Sequence, residues 1–182
     1  MKKRATTYQI LIHFSLLALC AVVLLLVQEN AELRQDLVAA APTLPTGPEP
    51  GATFSSLAVK QLDGQAKTLE LADGKDRLVF FFTTTCPSCR ENQSAWKAIH
   101  EQAQGDVDIV AISFDSVEDT AAYRQEHDLS FRVLVAEDPA TAARELGVPA
   151  VPTTVRLGAD GTVEASWVGV LSTEEIGAVS AG

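Results

Sequence analysis

The sequence predicts a mixed α/β domain, and three observations support this. Two continuous apolar runs, RLVFFFT at 77–83 and VDIVAISF at 107–114, are typical of strands buried on both faces of a sheet. Between them, PSCRENQSAWKAIHEQA places apolar residues at helical spacing. Near the end, TTVRL and TVEASWVGV flank an ADG turn, which indicates an antiparallel pair. Parallel strands joined by a crossover helix and followed by a hairpin predict a mixed central sheet flanked by helices.

The N-terminus forms a separate segment. Three basic residues at positions 2–4 precede a long uncharged stretch, and residues 10–27 are almost wholly apolar. A membrane-spanning helix needs about 20 such residues, whereas the apolar core of a cleavable signal peptide has about 7–15. We therefore predict a cytoplasmic basic N-terminus at 1–9 and a single-pass transmembrane signal anchor at 10–27, with the remainder on the extracytoplasmic side. A cleaved signal peptide is the alternative.

The next segment connects this anchor to the folded domain. Residues 28–53 are predicted to form a short juxtamembrane helix and then a linker with four prolines between 42 and 50. Proline-rich linkers are extended, at about 3.1 Å per residue. The remainder, residues 54–182, is the predicted folded domain.

The other elements of the domain follow from turns and caps. A DG turn inside LAVKQLDGQAKTLEL predicts an N-terminal β-hairpin. Ser116 and Asp119 predict the start of a helix that runs to about residue 127, and FRVLVA predicts a short strand. DPATAAREL reads as a helix closed by Gly147. Ser172 and Glu175 form a capping box for a last helix.

The charge distribution limits the class of partner. The chain has a net charge of −10, and residues 1–50 carry four basic and four acidic side chains, so the whole excess lies in the domain. An acidic domain argues against nucleic acid as a partner.

The chemistry of the domain centres on two cysteines at a strand–helix junction. Pro87 suits the first helical position, and a residue before proline avoids the helical region, so Cys86 is held like an N-cap. Its sulfur would then lie near free backbone N–H groups and the positive end of the helix dipole, which favour the nucleophilic thiolate. Cys89 lies one turn further on the same face and can attack a mixed disulfide formed at Cys86.

Metal binding and a purely structural disulfide are the other interpretations of this pair. A four-ligand zinc site needs further Cys or His residues, and the domain offers only His100 and His127, which do not form a matching pair. A bridge between residues three apart closes a tiny loop and constrains little of the unfolded chain. We therefore predict thiol–disulfide exchange without a metal or cofactor.

The motifs resemble a known family. FFFTTTCPSC after a β-hairpin, followed by GVPAVPTTVRLGADGTVEASWVG, resembles the membrane-anchored thioredoxin-like proteins of the TlpA/ResA type over roughly residues 51–176. The resemblance implies a thioredoxin-like fold and periplasmic thiol–disulfide exchange, with Cys86 and Cys89 as the catalytic residues. It also implies protein thiol or disulfide substrates, an upstream redox partner, and a role such as cytochrome c or copper-site assembly.

The resemblance further implies a substrate-binding loop opposite the cysteines. Pro152 corresponds to the family's cis-proline, with Val151 before it and Thr153 after it, and the backbone of Val151 would pair with an extended substrate segment. Thr85, Pro87 and Ser88 surround the cysteines as supporting residues.

Three positions depart from the related patterns. Thr85 stands where tryptophan is frequent, Phe80 where thioredoxins place a buried acid, and Asn92 where a glutamate is common. Glu91, one position earlier, is a possible substitute for that glutamate. The sequence therefore assigns no proton acceptor to Cys89.

Two other functions remain open. A peroxiredoxin-like thiol peroxidase is one, because Thr83 lies three residues before Cys86 as in that family's TxxC, although Val79 replaces its expected proline. The second is a non-enzymatic copper-handling assembly factor with both thiols as soft ligands. No methionine besides Met1 could add to such a site.

Overall fold

The computed structural model describes residues 19–20, 22–29, 46–103 and 107–180. The chain divides into two compact units, Met1–Thr43 and Leu44–Gly182. In the first unit, residues 22–29 are helical, and the apolar side chains from Val22 to Val27 are exposed. Most of the predicted membrane span and juxtamembrane helix lies outside the described residues. Within the described ranges, no helix has both the length and the apolar character needed to cross a membrane.

The second unit contains the predicted order of strands and helices. Its described elements are β1 (Ser56–Lys60), β2 (Ala66–Glu70), β3 (Arg77–Phe82), α1 (Pro87–Ala103), β4 (Asp108–Ser113), α2 (Val117–Glu126), β5 (Arg132–Ala136), α3 (Pro139–Glu145), β6 (Thr153–Leu157), β7 (Val163–Val168) and α4 (Thr173–Ser180).

The strands form one mixed sheet with the order β2-β1-β5-β4-β3-β6-β7. Strands β3, β4 and β5 are parallel, whereas β6 runs antiparallel to β3, and β1 runs antiparallel to β5. This is the mixed sheet that the sequence predicts. The interior strand β3 lies between β4 and β6 and is buried at all six residues, which explains its unbroken apolar run.

Two apolar cores lie on opposite faces of the sheet, because successive side chains of a strand alternate between faces. Val79 and Phe81 belong to the core that also contains Ala142 and Leu146, from α3 and its C-terminal end. The second core joins the other face of β3 to α1, α2 and α4. Its larger members include Leu78, Phe80, Phe82, Trp96, Ile99, Tyr123, Phe131 and Val179. This second core carries the helix that begins at the two cysteines.

The helix caps agree with the sequence. The Ser116 side chain accepts a hydrogen bond from the backbone of Asp119 at the start of α2. At α4, the backbone N–H of Ser172 donates to Glu175, and the backbone N–H of Glu175 donates to Ser172. Both caps satisfy helix N–H groups that would otherwise lack partners.

The folded unit begins earlier than the predicted boundary at residue 54. The backbone N–H of Gly51 donates to the carbonyl of Val163 at 2.8 Å, and the N–H of Val163 donates to Ala52 at 2.8 Å. Ser166 in β7 donates its hydroxyl to the carbonyl of Pro48. Edge strands present unpaired backbone groups, and Gly51 and Ala52 supply partners for those of Val163 at the start of β7. The end of the proline-rich segment therefore belongs to the domain.

The turn between β6 and β7 provides a test of this packing. Gly161 has a φ of +79°, its carbonyl accepts from the backbone of Phe54, and an added Cβ would collide with the Phe54 carbonyl oxygen. Gly64 has a similar φ of +85° but open space around it. We expect Gly64→Ala to cost about 1–2 kcal/mol of left-handed strain and Gly161→Ala to cost more, because the backbone must also move. Urea unfolding of both variants measures the difference, and equal losses would contradict the packing described.

Candidate active site

The cysteines lie where β3 passes into α1. Helix α1 begins at Pro87, as predicted, and the N–H of Arg90 donates to the carbonyl of Cys86 at 3.2 Å. That bond closes the first helical turn on Cys86, which makes this residue the N-cap. Proline fits the first helical position because its missing N–H would have no partner there.

The two sulfurs differ in burial and in their hydrogen bonds. Cys86 is half-buried, Cys89 is 0% exposed, and both are free thiols. The backbone N–H of Cys89 donates to Cys86 Sγ at 3.1 Å. Burial raises the pKa of the Cys89 thiol well above its usual value, and the adjacent Cys86 raises it further. Cys86 is thus the sulfur that a partner can reach, and Cys89 is the sheltered one.

The proline loop faces this pair. The Val151–Pro152 bond is cis, as predicted, and the Cys86 thiol donates to the carbonyl of Val151 at 3.7 Å. The carbonyl of Pro152 accepts from the N–H of Gly169 at 2.8 Å. Thr153 is fully buried, and its hydroxyl donates to the carbonyl of Ala150. The structure therefore brings Cys86, Val151 and Pro152 together, whereas the side chain of Thr153 shapes the loop from inside.

The predicted supporting residues occupy the rim of the site. Thr85 and Pro87 are exposed, and Ser88 is half-buried. Trp167 on β7, which the sequence analysis did not single out, packs against the same core as Cys86 and Val151. The half-buried Cys86 that a partner would approach therefore packs against apolar side chains of this core.

Two positions that hold acids in related proteins make structural contacts in this chain. Phe80 is 0% exposed, and its ring stacks on Trp96 with centroids 5.0 Å apart. Asn92 is 1% exposed, donates to the carbonyl of Gly169 at 2.9 Å and accepts from the N–H of Leu171 at 2.8 Å. Asn92 thus ties α1 to the loop after β7, where the N–H of Gly169 in turn donates to the carbonyl of Pro152. Glu91, the suggested substitute, is exposed.

Asp115 is a functional candidate that the sequence analysis missed. It follows β4 and accepts hydrogen bonds on Oδ2 from both the backbone N–H and the hydroxyl of Thr84, the latter at 2.8 Å. Its negative charge raises the pKa of Cys89. The sequence contained an indication of this position. The parallel neighbours β3 and β4 end at the same edge of the sheet, and Asp115 is the first acid after the apolar run of β4.

Metal binding at this site would require side chains that cluster as ligands. In the ranges that the structure describes, no three side chains among His, Cys, Asp and Glu form a group that could hold a metal ion. A soft metal at this position would have the two cysteine sulfurs as its protein ligands.

The difference between the sulfurs predicts the order of alkylation. In the reduced chain with Cys20→Ser, iodoacetamide near neutral pH should modify Cys86 first. Cys89 should stay unmodified, since its raised pKa keeps it protonated and its side chain is buried. Peptide mass spectrometry after timed quenching measures the order, and the chain unfolded in urea should show no such preference. Earlier labelling of Cys89 in the folded chain would reverse the assignment.

Fold and site together define a thioredoxin-like protein with a CxxC pair opposite a cis-proline loop. The family model for the AhpC/TSA family matches residues 50–166, and the chain belongs to this family. Thioredoxin-like protein YneN of Bacillus subtilis (strain 168) is 27% identical over 134 residues, which cover 71% of this chain and 78% of that protein. These findings confirm the predicted class, a thioredoxin-like thiol–disulfide oxidoreductase.

Solved structures agree on the fold. StoA from Bacillus subtilis matches with a TM-score of 0.56 and 17% identity, over 76% of this chain and 99% of that one. A secreted Mycobacterium tuberculosis disulfide oxidoreductase homologous to E. coli DsbE matches with a TM-score of 0.57 and 21% identity, over 69% of this chain and 94% of that one. At these identities the likeness concerns the fold.

Proposed function

We propose that this protein is a membrane-anchored, extracytoplasmic oxidoreductase that exchanges disulfides with partner proteins through Cys86 and Cys89. The observation that carries the proposal is the arrangement of the two sulfurs. The Cys86 sulfur, which a partner can reach, lies at the start of a helix and accepts a hydrogen bond from the backbone N–H of Cys89 at 3.1 Å. The Cys89 thiol is fully buried and lies one helical turn further along. Exchange needs these two parts, an accessible nucleophile and a tethered resolving thiol.

The reaction proceeds through a mixed disulfide. In the reducing direction, the Cys86 thiolate attacks one sulfur of a partner disulfide, an S–S bond forms to Cys86, and the other partner sulfur leaves as a thiolate. Cys89, as thiolate, then attacks Cys86, closes the Cys86–Cys89 disulfide and releases the second partner sulfur. The oxidising direction reverses both steps. An upstream redox partner must then restore the starting state of the pair.

The position of the loop before Pro152 favours a protein as the substrate. The carbonyl of Val151 lies 3.7 Å from the Cys86 sulfur. An extended segment that pairs with this backbone would bring its own cysteine next to Cys86, as in strand-addition modes of peptide recognition. Such pairing recognises backbone and therefore tolerates varied partner sequences, including the apocytochromes or copper-site proteins that the family resemblance suggests.

The membrane part of the proposal rests on the sequence. Basic residues at 2–4 precede the apolar run at 10–27, and the positive side of such a segment stays in the cytoplasm. The catalytic domain would then face the periplasm. Protease added to spheroplasts should digest the domain and leave an N-terminal fragment in the membrane. A protected domain, or a mature chain that lacks its first 40 or so residues, would contradict this topology.

Insulin reduction tests the chemistry. The full chain in detergent with dithiothreitol should accelerate precipitation of the insulin B chain, and Cys86→Ser should bring the rate to the uncatalysed background. Cys20→Ser is the matched control and should keep the wild-type rate. Catalytic consumption of hydrogen peroxide without insulin reduction would favour the peroxidase alternative. Stoichiometric Cu(I) binding without exchange would favour the copper-handling one.

A further inference from the structure

The resolving thiol needs a group that accepts its proton. Cys89 must become a thiolate before it attacks Cys86, yet its side chain is 0% exposed and burial raises its pKa. In this chain Phe80 and Asn92 stand at the two positions where related proteins have acids. The Phe80 ring stacks on another ring, and the Asn92 side chain makes structural hydrogen bonds. Glu91 is exposed on α1. The acceptor must therefore come from another element.

Asp115 is a half-buried carboxylate held against the turn that leads to the cysteines. Residues Phe82 and Ser113 are register partners in the parallel pair β3–β4, so the chains leave the sheet side by side. Thr84 donates to Asp115 Oδ2 through both its N–H and its hydroxyl. Among the hydrogen bonds of the described residues, those accepted by Asp115 fall on Oδ2, and Oδ1 keeps its lone pairs for a proton.

The same turn also reaches Cys89. A backbone hydrogen bond from Thr83 lowers the pKa of Cys89, while the next amide, that of Thr84, donates to Asp115. The turn that contains Thr84 closes at Cys86, whose N–H donates to the carbonyl of Thr83 at 3.4 Å, and the N–H of Cys89 donates to Cys86 Sγ at 3.1 Å. Among the described residues, Cys86 at the start of α1 and Tyr123 on α2, whose hydroxyl accepts from Gln93, also interact electrostatically with Cys89.

We propose that Asp115 accepts the proton of Cys89 in the resolving step, an inference that rests on the proposed function. The Cys89 S–H bond breaks, its proton passes to the Asp115 carboxylate directly or through one water, and the thiolate attacks Cys86. The Cys86–Cys89 disulfide forms as the bond between Cys86 and the partner breaks, and the partner leaves as a thiolate. That thiolate recovers the proton from Asp115, which restores the carboxylate. In the oxidising direction the protonated acid returns the proton to Cys89.

The charge of Asp115 and its role as a base have opposite effects on the rate. Its negative charge disfavours a second negative charge on Cys89. If charge were its whole effect, removing it would ionise Cys89 more readily and speed the resolving step near neutral pH. If Asp115 takes the proton, removing it slows that step. The direction in which the rate of the resolving step changes therefore separates a purely electrostatic effect of Asp115 from its action as a base.

The experiment uses the reduced full chain with Cys20→Ser in every sample and an excess of 5,5′-dithiobis(2-nitrobenzoate). Attack by Cys86 releases one nitrothiobenzoate, and attack by Cys89 on the resulting mixed disulfide releases the second. Asp115→Asn keeps an oxygen that can accept from Thr84. We expect it to slow the second release by about 100-fold at pH 7, the scale of general-base catalysis, while the first release is little changed. The difference between the Asp115→Asn and wild-type rates of the second release should narrow as pH rises, because hydroxide then ionises Cys89.

Three further variants separate a base from a structural contact. Asp115→Glu, which keeps a carboxylate, should retain most of the rate and the wild-type pH profile. Thr84→Val, which loses one bond to Asp115 but keeps the carboxylate, should resolve within a few fold of the wild-type rate. Glu91→Gln is the matched control for an exposed acid on α1 and should leave both releases unchanged.

The possible outcomes are distinct. A second release that is faster or unchanged in Asp115→Asn would overturn the inference, as would equal slowing in Asp115→Glu and Thr84→Val, which would show a structural contact. Slowing in Glu91→Gln alone would move the role to Glu91. If the wild-type chain gives one nitrothiobenzoate and no second release, the proposed exchange function itself fails, whatever Asp115 does.

Discussion

Cys89→Ser should convert this protein from a catalyst into a trap for its partners. Cys86 keeps its reachable sulfur at the helix N-terminus and still attacks a partner disulfide. Without Cys89, no tethered thiol completes the reaction, and the mixed disulfide must wait for a thiol from solution. Release should lengthen from the time of an intramolecular step to the minutes or hours of uncatalysed disulfide rearrangement. Non-reducing electrophoresis of cells that express the variant should show covalent adducts that vanish on reduction.

Two control variants test whether Cys86 is the cysteine that forms the adducts. Cys86→Ser should form no adducts, because the remaining Cys89 is 0% exposed. Cys20→Ser combined with Cys89→Ser should trap the same proteins, since Cys20 lies outside the domain. Adducts that persist in Cys86→Ser but disappear with Cys20→Ser would contradict the assignment of Cys86 as the attacking sulfur. Identification of the trapped proteins by mass spectrometry would name the substrate class.

Local patterns in the sequence predicted most of the fold. The buried run at 77–83, the caps at Ser116 and Ser172, and the turn glycines each depend on residues within a few positions of one another. The CxxC pair is also local, since Cys89 lies one helical turn after Cys86. Such features need no knowledge of distant contacts, which is why the order of elements and the greater burial of Cys89 relative to Cys86 followed from the sequence.

The features that the sequence missed depend on contacts between distant residues. Asn92 bonds to Gly169, 77 positions away, and nothing near Asn92 in the sequence marks that partner. Thr84 and Asp115 are 31 positions apart and meet because their strands pair in parallel. Residues 46–53 read as a free linker by composition, yet β7 offers them an edge with open backbone groups. In each case the sequence indicated a residue's chemistry but not its neighbour.

Phe80→Ala should destabilise the domain strongly. The Phe80 ring stacks on Trp96, meets Phe131 edge-on at 5.6 Å between centroids, and is 0% exposed. Truncation of a buried aromatic residue costs about 3–5 kcal/mol, because transfer energy is lost and a cavity remains. Domains of this size are stable by about 5–15 kcal/mol, so the variant should unfold at a much lower urea concentration.

The matched control for Phe80→Ala is Phe114→Ala, which removes the same ring from a half-buried position where it stacks on Phe81. It should cost clearly less, because part of that ring already contacts water. Phe80→Asp should cost more than either, since a carboxylate at this site would be buried against Trp96 and Phe131. Thioredoxins place an acid at the corresponding position, but here stacked aromatic rings fill the space. Urea unfolding followed by far-UV circular dichroism compares the three variants, and a Phe80→Asp chain as stable as wild type would show that this core can solvate an acid.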